Sequence, residues 1–156
     1  MKPKKQHPLD IALCNEVQIH YKRPVYDETK NIKGSKSAEA IFRDFVDTER
    51  LDFKEFFFVM LVTNANQVIA ISEISVGGTT GTLVNIKEVV QLAILTNASG
   101  VLICHNHPSG VLKKSTSDEA TTQRIKGALG LLDIKLLDHI ILTTENYTSF
   151  SDEGWL

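Results

Sequence analysis

Residues 101–143 read VLICHNHPSGVLKKSTSDEATTQRIKGALGLLDIKLLDHIILT. The segment opens on a short apolar run, VLIC, between Ser99-Gly100 and the breakers Pro108 and Gly110, which is the pattern of a buried strand. HNHPSGVLKKS has no periodicity and reads as a loop. SDEATTQRIKGALGLL is an amphipathic helix, and LDHIILT returns to strand character. Strand, loop, helix and strand in that order give an α/β domain with a helix packed on a sheet.

Upstream, IKEVVQLAILTNA has helical spacing and is stopped at Ser99-Gly100, so strand and helix alternate here too. EFFFVMLVT and VIAISEIS are two β-rich runs around the turn residues NANQ, a hairpin of central strands. GGTTGT is a flexible connection; it lacks the lysine of a phosphate-binding loop and the spacing of a dinucleotide fingerprint. SAEAIFRDFVD places Ala38, Ile41, Phe42, Phe45 and Val46 on one buried helical face after a cap at Ser37. EVQIHYKRPV alternates Val17, Ile19 and Tyr21 and predicts a short strand ended by Pro24. Residues 1–15 read as a flexible arm and residues 16–156 as one domain, a mixed sheet with helices packed on it in an α/β sandwich.

Histidines at i and i+2 of an extended segment put both imidazoles on one face, roughly 6.6 Å apart along the chain, with Asn106 facing away. Pro108 and Gly110 place His105 and His107 at the carboxyl end of the strand, where open α/β sheets keep their ligand crevices. Asp118 opens the next helix and swings a carboxylate back over the loop. Two imidazoles and one carboxylate are ligands that zinc accepts, and a three-ligand set leaves a coordination place for water, as in catalytic rather than structural sites. Attack by that water requires a base that is not itself a ligand, and a carboxylate on a neighbouring strand suits. Glu73 in ISEIS is the choice and Glu88 the reserve. Ser115 is placed to donate a hydrogen bond to the water or to an oxyanion, although Ser115 to Asp118 is also what a capped helix start looks like. Cys104 alternates away from His105 and reads as a core residue. Asp138 and His139 suit a strand-entry hydrogen bond or support of a ligand.

HNHPSGVLKKSTSD fits H-x-H-x(7)-S-x-x-D and resembles the metal signature of the JAMM/MPN metalloproteases, in the form carried by the RadC branch. EISVGGTTGT, LLDIKLLDHIILT and YTSFSDEGWL also look like RadC segments, so the resemblance runs from Glu16 onward. It implies a deaminase-like (cytidine deaminase-like) three-layer α-β-α sandwich, the JAMM (MPN) fold. By the same resemblance His105, His107 and Asp118 bind Zn2+, Ser115 partners the oxyanion or water, and Glu73 carries the proton. It also implies a short form without the helix-hairpin-helix region of longer relatives. Val111, Leu112 and Lys114 stand where RadC relatives usually carry an Asp-Pro and a Pro-Ser pair, which makes the loop looser and more basic.

Composition bounds the function. Seventeen basic against nineteen acidic residues leave a net charge of -2, which does not give the footprint of a dedicated DNA binder. Two distant cysteines make neither a disulfide framework nor a thiolate zinc knuckle, and no apolar run reaches the roughly 18 residues of a membrane span, so a cytoplasmic protein is expected. The leading expectation is a zinc metallopeptidase or isopeptidase. A DNA repair or DNA-processing factor, as the RadC name implies, and a non-catalytic MPN-like interaction module are the alternatives. A nucleobase deaminase is set aside because H-x-E with P-C-x-x-C is missing.

Overall fold

The computed structural model describes residues 19–22, 29–77 and 84–156. Within them the chain forms α1 (Ser35–Phe45), a short 3-10 turn (Thr48–Arg50), β1 (Phe56–Val62), β2 (Val68–Val76), α2 (Ile86–Leu95), β3 (Gly100–Asn106), α3 (Thr116–Gly130), β4 (Lys135–Leu142) and β5 (Tyr147–Ser149). The five strands make one mixed sheet in the order β2-β1-β3-β4-β5. β3 and β4 run parallel, joined through α3, and the other neighbouring pairs are antiparallel.

The continuous apolar runs are explained by position. β1 and β3 lie inside the sheet, and every residue of both is buried, as strands covered on both faces require. Their side chains divide with period two. Phe56, Phe58 and Met60 pack with Leu102, Cys104, Ile140 and the Ala38, Ile41 and Phe42 face of α1. Phe57, Val59 and Leu61 pack instead with Val101, Ile103, Val89 and Ala93 of α2, and Ile125 and Leu129 of α3. Each fully buried aliphatic in these clusters contributes roughly 1.5–3 kcal/mol.

Three expectations need correction. α1 begins at Ser35 with Gly34 as its N-cap, not at Ser37. Ser37 lies within the first turn, where its hydroxyl accepts from the Lys33 N–H at 2.8 Å and donates to the Gly34 carbonyl at 2.7 Å. Phe45, expected in the core, is 48% exposed because it ends the helix, and it meets Phe58 edge-on. The expected strand around Ile19 is not formed at residues 19–22, and Ile19 is 93% exposed. The rest of that strand, the arm at residues 1–15, and GGTTGT beyond Gly77 lie outside the described residues.

One buried polar side chain fixes the end of the sheet. Asn106 closes β3 with no solvent exposure. Its Oδ1 accepts from the Phe56 N–H at 2.7 Å, and its Nδ2 donates to the carbonyls of Leu51 at 2.6 Å and Lys54 at 2.7 Å. The segment that leads into β1 is thereby tied to the end of β3. Asn106→Ala leaves these backbone groups without partners, and loss of such buried bonds costs roughly 2–4 kcal/mol. Urea unfolding of this variant is expected to show a lower midpoint at unchanged slope; a loss below about 1 kcal/mol would mean that water replaces the amide.

Candidate metal centre

β3 delivers the first ligand candidate. His105 pairs with Phe57 on one side and Ile141 on the other, and is 1% exposed. The strand path continues past the last paired residue, because the His107 N–H donates to the Leu142 carbonyl at 2.8 Å. His105 and His107 are therefore on one face, with ring centroids 4.8 Å apart. The turn at Pro108–Gly110, closed by the Gly110 N–H on the His107 carbonyl at 3.0 Å with Gly110 at φ 74°, sends the chain back towards α3.

α3 supplies the carboxylate through its capping chemistry. Ser115 is the N-cap: its hydroxyl accepts from the Asp118 N–H at 3.1 Å, and Asp118 Oδ2 accepts from the Ser115 N–H at 2.6 Å. This reciprocal pair holds the acid over the histidines. Asp118 Oδ1 lies 3.2 Å from His105 Nε2, Oδ2 lies 3.5 Å from His107 Nε2, and the two Nε2 atoms are 2.9 Å apart. Among the described residues, His105, His107 and Asp118 form a group able to hold a metal ion.

The donor chemistry fits a cation. The His107 Nδ1–H donates to the Val111 carbonyl at 2.6 Å, so the neutral ring presents a bare Nε2 to the centre. Tetrahedral zinc with bonds of about 2.0–2.1 Å sets its ligands about 3.3 Å apart, close to the three separations found. Without an ion, the acid and the imidazoles act on one another. The hydrogen bond that the protonated ring donates to Asp118 raises the His107 pKa above its ordinary value against the effect of burial, with help from the Val111 carbonyl and the charges of Asp118 and Glu55. Burial alone would raise Asp118, but the two histidines hold its carboxyl well below the usual carboxylate range.

Behind His105 the site is buried. His105 Nδ1 meets His139 Nε2 at 2.7 Å, and His139 Nδ1 meets Thr122 Oγ1 at 2.6 Å. His139 is stacked on Phe150 at 4.4 Å between ring centroids, and burial drives its pKa well below the ordinary value. Asp138 faces the other way and accepts from Ser149 Oγ at 2.7 Å and the Ser151 N–H at 3.0 Å. Cys104 packs in the α1-side core, where burial pushes its thiol up, so it takes no part in the cluster.

The proposed bases separate. Glu73 is exposed on the edge strand β2, where it pairs with Phe58, which in turn pairs with Cys104. Directly opposed residues share a face, so Glu73 is on the side away from His105. Glu88 lies in the first turn of α2. The carboxylate the structure brings near the cluster is Glu55, which immediately precedes β1. Carried two residues beyond the Phe57–His105 pair, the antiparallel register would set Glu55 opposite His107, and the charge of Glu55 acts on that ring. Its sequence signal is a lone acid directly before the apolar run FFFVMLV, but only the β1–β3 register gives that acid a partner. Ser115 is exposed, and its hydroxyl oxygen serves the cap while its proton remains free to donate outward.

Residues 32–155 match the family model described as the RadC-like JAB domain. The chain is 42% identical over 125 residues to a UPF0758 protein of Flavobacterium johnsoniae, an alignment covering 80% of this chain and 53% of that relative. A UPF0758 protein of Cellvibrio japonicus is 37% identical over 121 residues, covering 77% and 54%. The chain thus spans about half the length of the curated relatives it matches.

The pKa shifts fix a pH window. The raised His107 gives stability that is complete below its unfolded pKa and lost as pH rises through the folded value. The lowered Asp118 gives stability present above its unfolded pKa and lost as pH falls through the folded value. In metal-free protein, Asp118→Asn is therefore expected to cost most between about pH 4 and about pH 6.5 and less on either side. Denaturation midpoints measured across pH test this; a difference independent of pH would show that the two groups are not paired.

Proposed function

The chain belongs to the RadC-like JAB domain family, and from that footing we propose that it is a zinc-dependent hydrolase of the JAMM type, cleaving a peptide or isopeptide. The observation that carries the reading is the convergence of His105 Nε2, His107 Nε2 and an Asp118 carboxylate within 2.9–3.5 Å of one another. Three acceptors at such separations repel unless a proton or a cation lies among them. The two core clusters, α1 on one and α2 with α3 on the other, support a three-layer α-β-α sandwich of the cytidine deaminase-like kind. Cys104 as a buried thiol agrees with a cytoplasmic setting. No helix among the described residues is long and apolar enough to cross a membrane.

When bound, zinc supplies Lewis acidity and brings the pKa of water down to about 7. The protein groups do the rest. Glu55 accepts the proton from the attacking water on a side-chain oxygen and returns it to the nitrogen of the departing amine as the C–N bond breaks. Ser115 donates its hydroxyl proton in a hydrogen bond to the oxygen that gains charge at the substrate carbonyl. The near balance of 17 basic and 19 acidic residues favours a peptide over a nucleic acid polyanion, whose binding rests on phosphate neutralisation.

The test joins metal analysis to turnover. Purified protein is expected to hold one zinc per site and His107→Ala to lose it, with cleavage of a fluorogenic peptide panel abolished by a chelator. Glu55→Gln is expected to keep the zinc and lose about 100-fold or more in kcat, and Glu73→Gln to stay near wild type. Zinc-free wild-type protein would remove the metal reading, and an active Glu55→Gln would remove the base assignment alone.

A further inference from the structure

The proton positions behind the cluster can be read from the bonds. Thr122 Oγ1 lies 2.6 Å from the Asp118 carbonyl oxygen, one turn back in α3. A carbonyl only accepts, so the single hydroxyl proton of Thr122 is committed there. Towards His139 Nδ1, at 2.6 Å, the same oxygen can then only accept, so Nδ1 carries the ring proton. His139 is 1% exposed, enclosed by Phe57, Phe150 and the His105 ring, and a charged imidazole is costly there. A neutral ring with its proton on Nδ1 has a bare Nε2. That atom faces His105 Nδ1 at 2.7 Å and must accept from it.

We propose that Thr122 and His139 are positioning residues that hold His105 as its Nδ1–H tautomer, so that the Nε2 lone pair of His105 points at Asp118 and His107. The Val111 carbonyl does the same for His107 directly. Ligating histidines usually give their second N–H to a carbonyl, carboxylate or water. Here an imidazole takes that place for His105, and because an imidazole can present either a donor or an acceptor, its direction has to be set by a third group. Thr122 sets it, from the same helix that bears Asp118. The consequence for metal affinity rests on the zinc reading above; the tautomer assignment does not.

Without the Thr122 hydroxyl, the His139 Nδ1–H has no acceptor. The relay then gains by reversing: His139 donates from Nε2, His105 accepts at Nδ1, and the His105 Nε2–H turns to Asp118 Oδ1. Zinc binding must undo that arrangement. Loss of such outer support weakens metal affinity about 10–100-fold.

The experiment uses imidazole-15N-labelled full chain. Metal-free wild type at about pH 8, above the ordinary histidine range, is expected to show His105 and His139 both protonated at Nδ1 in long-range 15N–1H spectra. Thr122→Val is expected to move both protons to Nε2 and to weaken zinc binding, measured by chelator competition, about 10–100-fold. Thr122→Ser keeps the hydroxyl and is expected to restore both. A wild-type His105 protonated at Nε2 overturns the proposal, as does a Thr122→Val protein whose tautomers are unchanged, whatever its zinc affinity. If Thr122→Val does not fold, the wild-type spectrum still decides. If the tautomers are as assigned and wild type binds no zinc, the zinc reading fails and the relay stands.

Discussion

A strand points successive side chains to opposite faces, and at the end of β3 that alternation governs both halves of the molecule. His105 and His107 must share one face and Asn106 must take the other. On its own face the Asn106 amide meets backbone groups of Leu51, Lys54 and Phe56 and fastens the approach to β1. The same fastening sets where Glu55 leaves that approach. A slip of one residue would drive both imidazoles into the α1-side core and take the amide away from the backbone groups it bonds, so register here is specified from both sides.

The imidazole face comes at a cost to the fold. Three groups that prefer to accept are held within hydrogen-bonding reach of one another, against Phe57 and in a largely buried pocket. Local consistency is broken there, and a ligand site is where such a conflict is expected. The surrounding structure carries it: both central strands are buried along their whole length, and α1 is tied to the β4–β5 turn by Arg43, which donates to the carbonyls of Thr143, Thr144 and Asn146 at 3.0–3.1 Å.

Much of this was legible in the sequence, for identifiable reasons. The hairpin, α2, α3 and β4 follow from periodicity and punctuation that act over a few residues. The histidine pair and Asp118 meet because a strand end and a capped helix start are both local devices joined by a short loop. The start of α1 was misplaced because Gly34 and Ser37 both suit a helix entry, and the difference lies in which carbonyl the Ser37 hydroxyl reaches. Glu73 shows the limit most clearly. β1 and β2 pair Phe57 with Ser75 and Phe58 with Glu73, skipping Ile74 in a bulge. Regular pairing carried on from Phe57–Ser75, with no bulge, would set Ile74 opposite Phe58 and Glu73 opposite Val59, on the histidine side. No periodicity reports a bulge, and none reports that the charge of Glu55 acts on a histidine some fifty positions later.

The reciprocal cap at the start of α3 reaches beyond helix geometry. Asp118 is immobilised by the Ser115 N–H before any ion arrives, and Ser115 is fixed by the Asp118 N–H in return. The rotamer freedom that a flexible carboxylate would surrender on coordination has already been given up when the helix forms. A cation held there would meet a pre-organised ligand, and its capture would be coupled to the integrity of one helical turn: fraying of that end would release the ion, and a seated ion would resist the fraying.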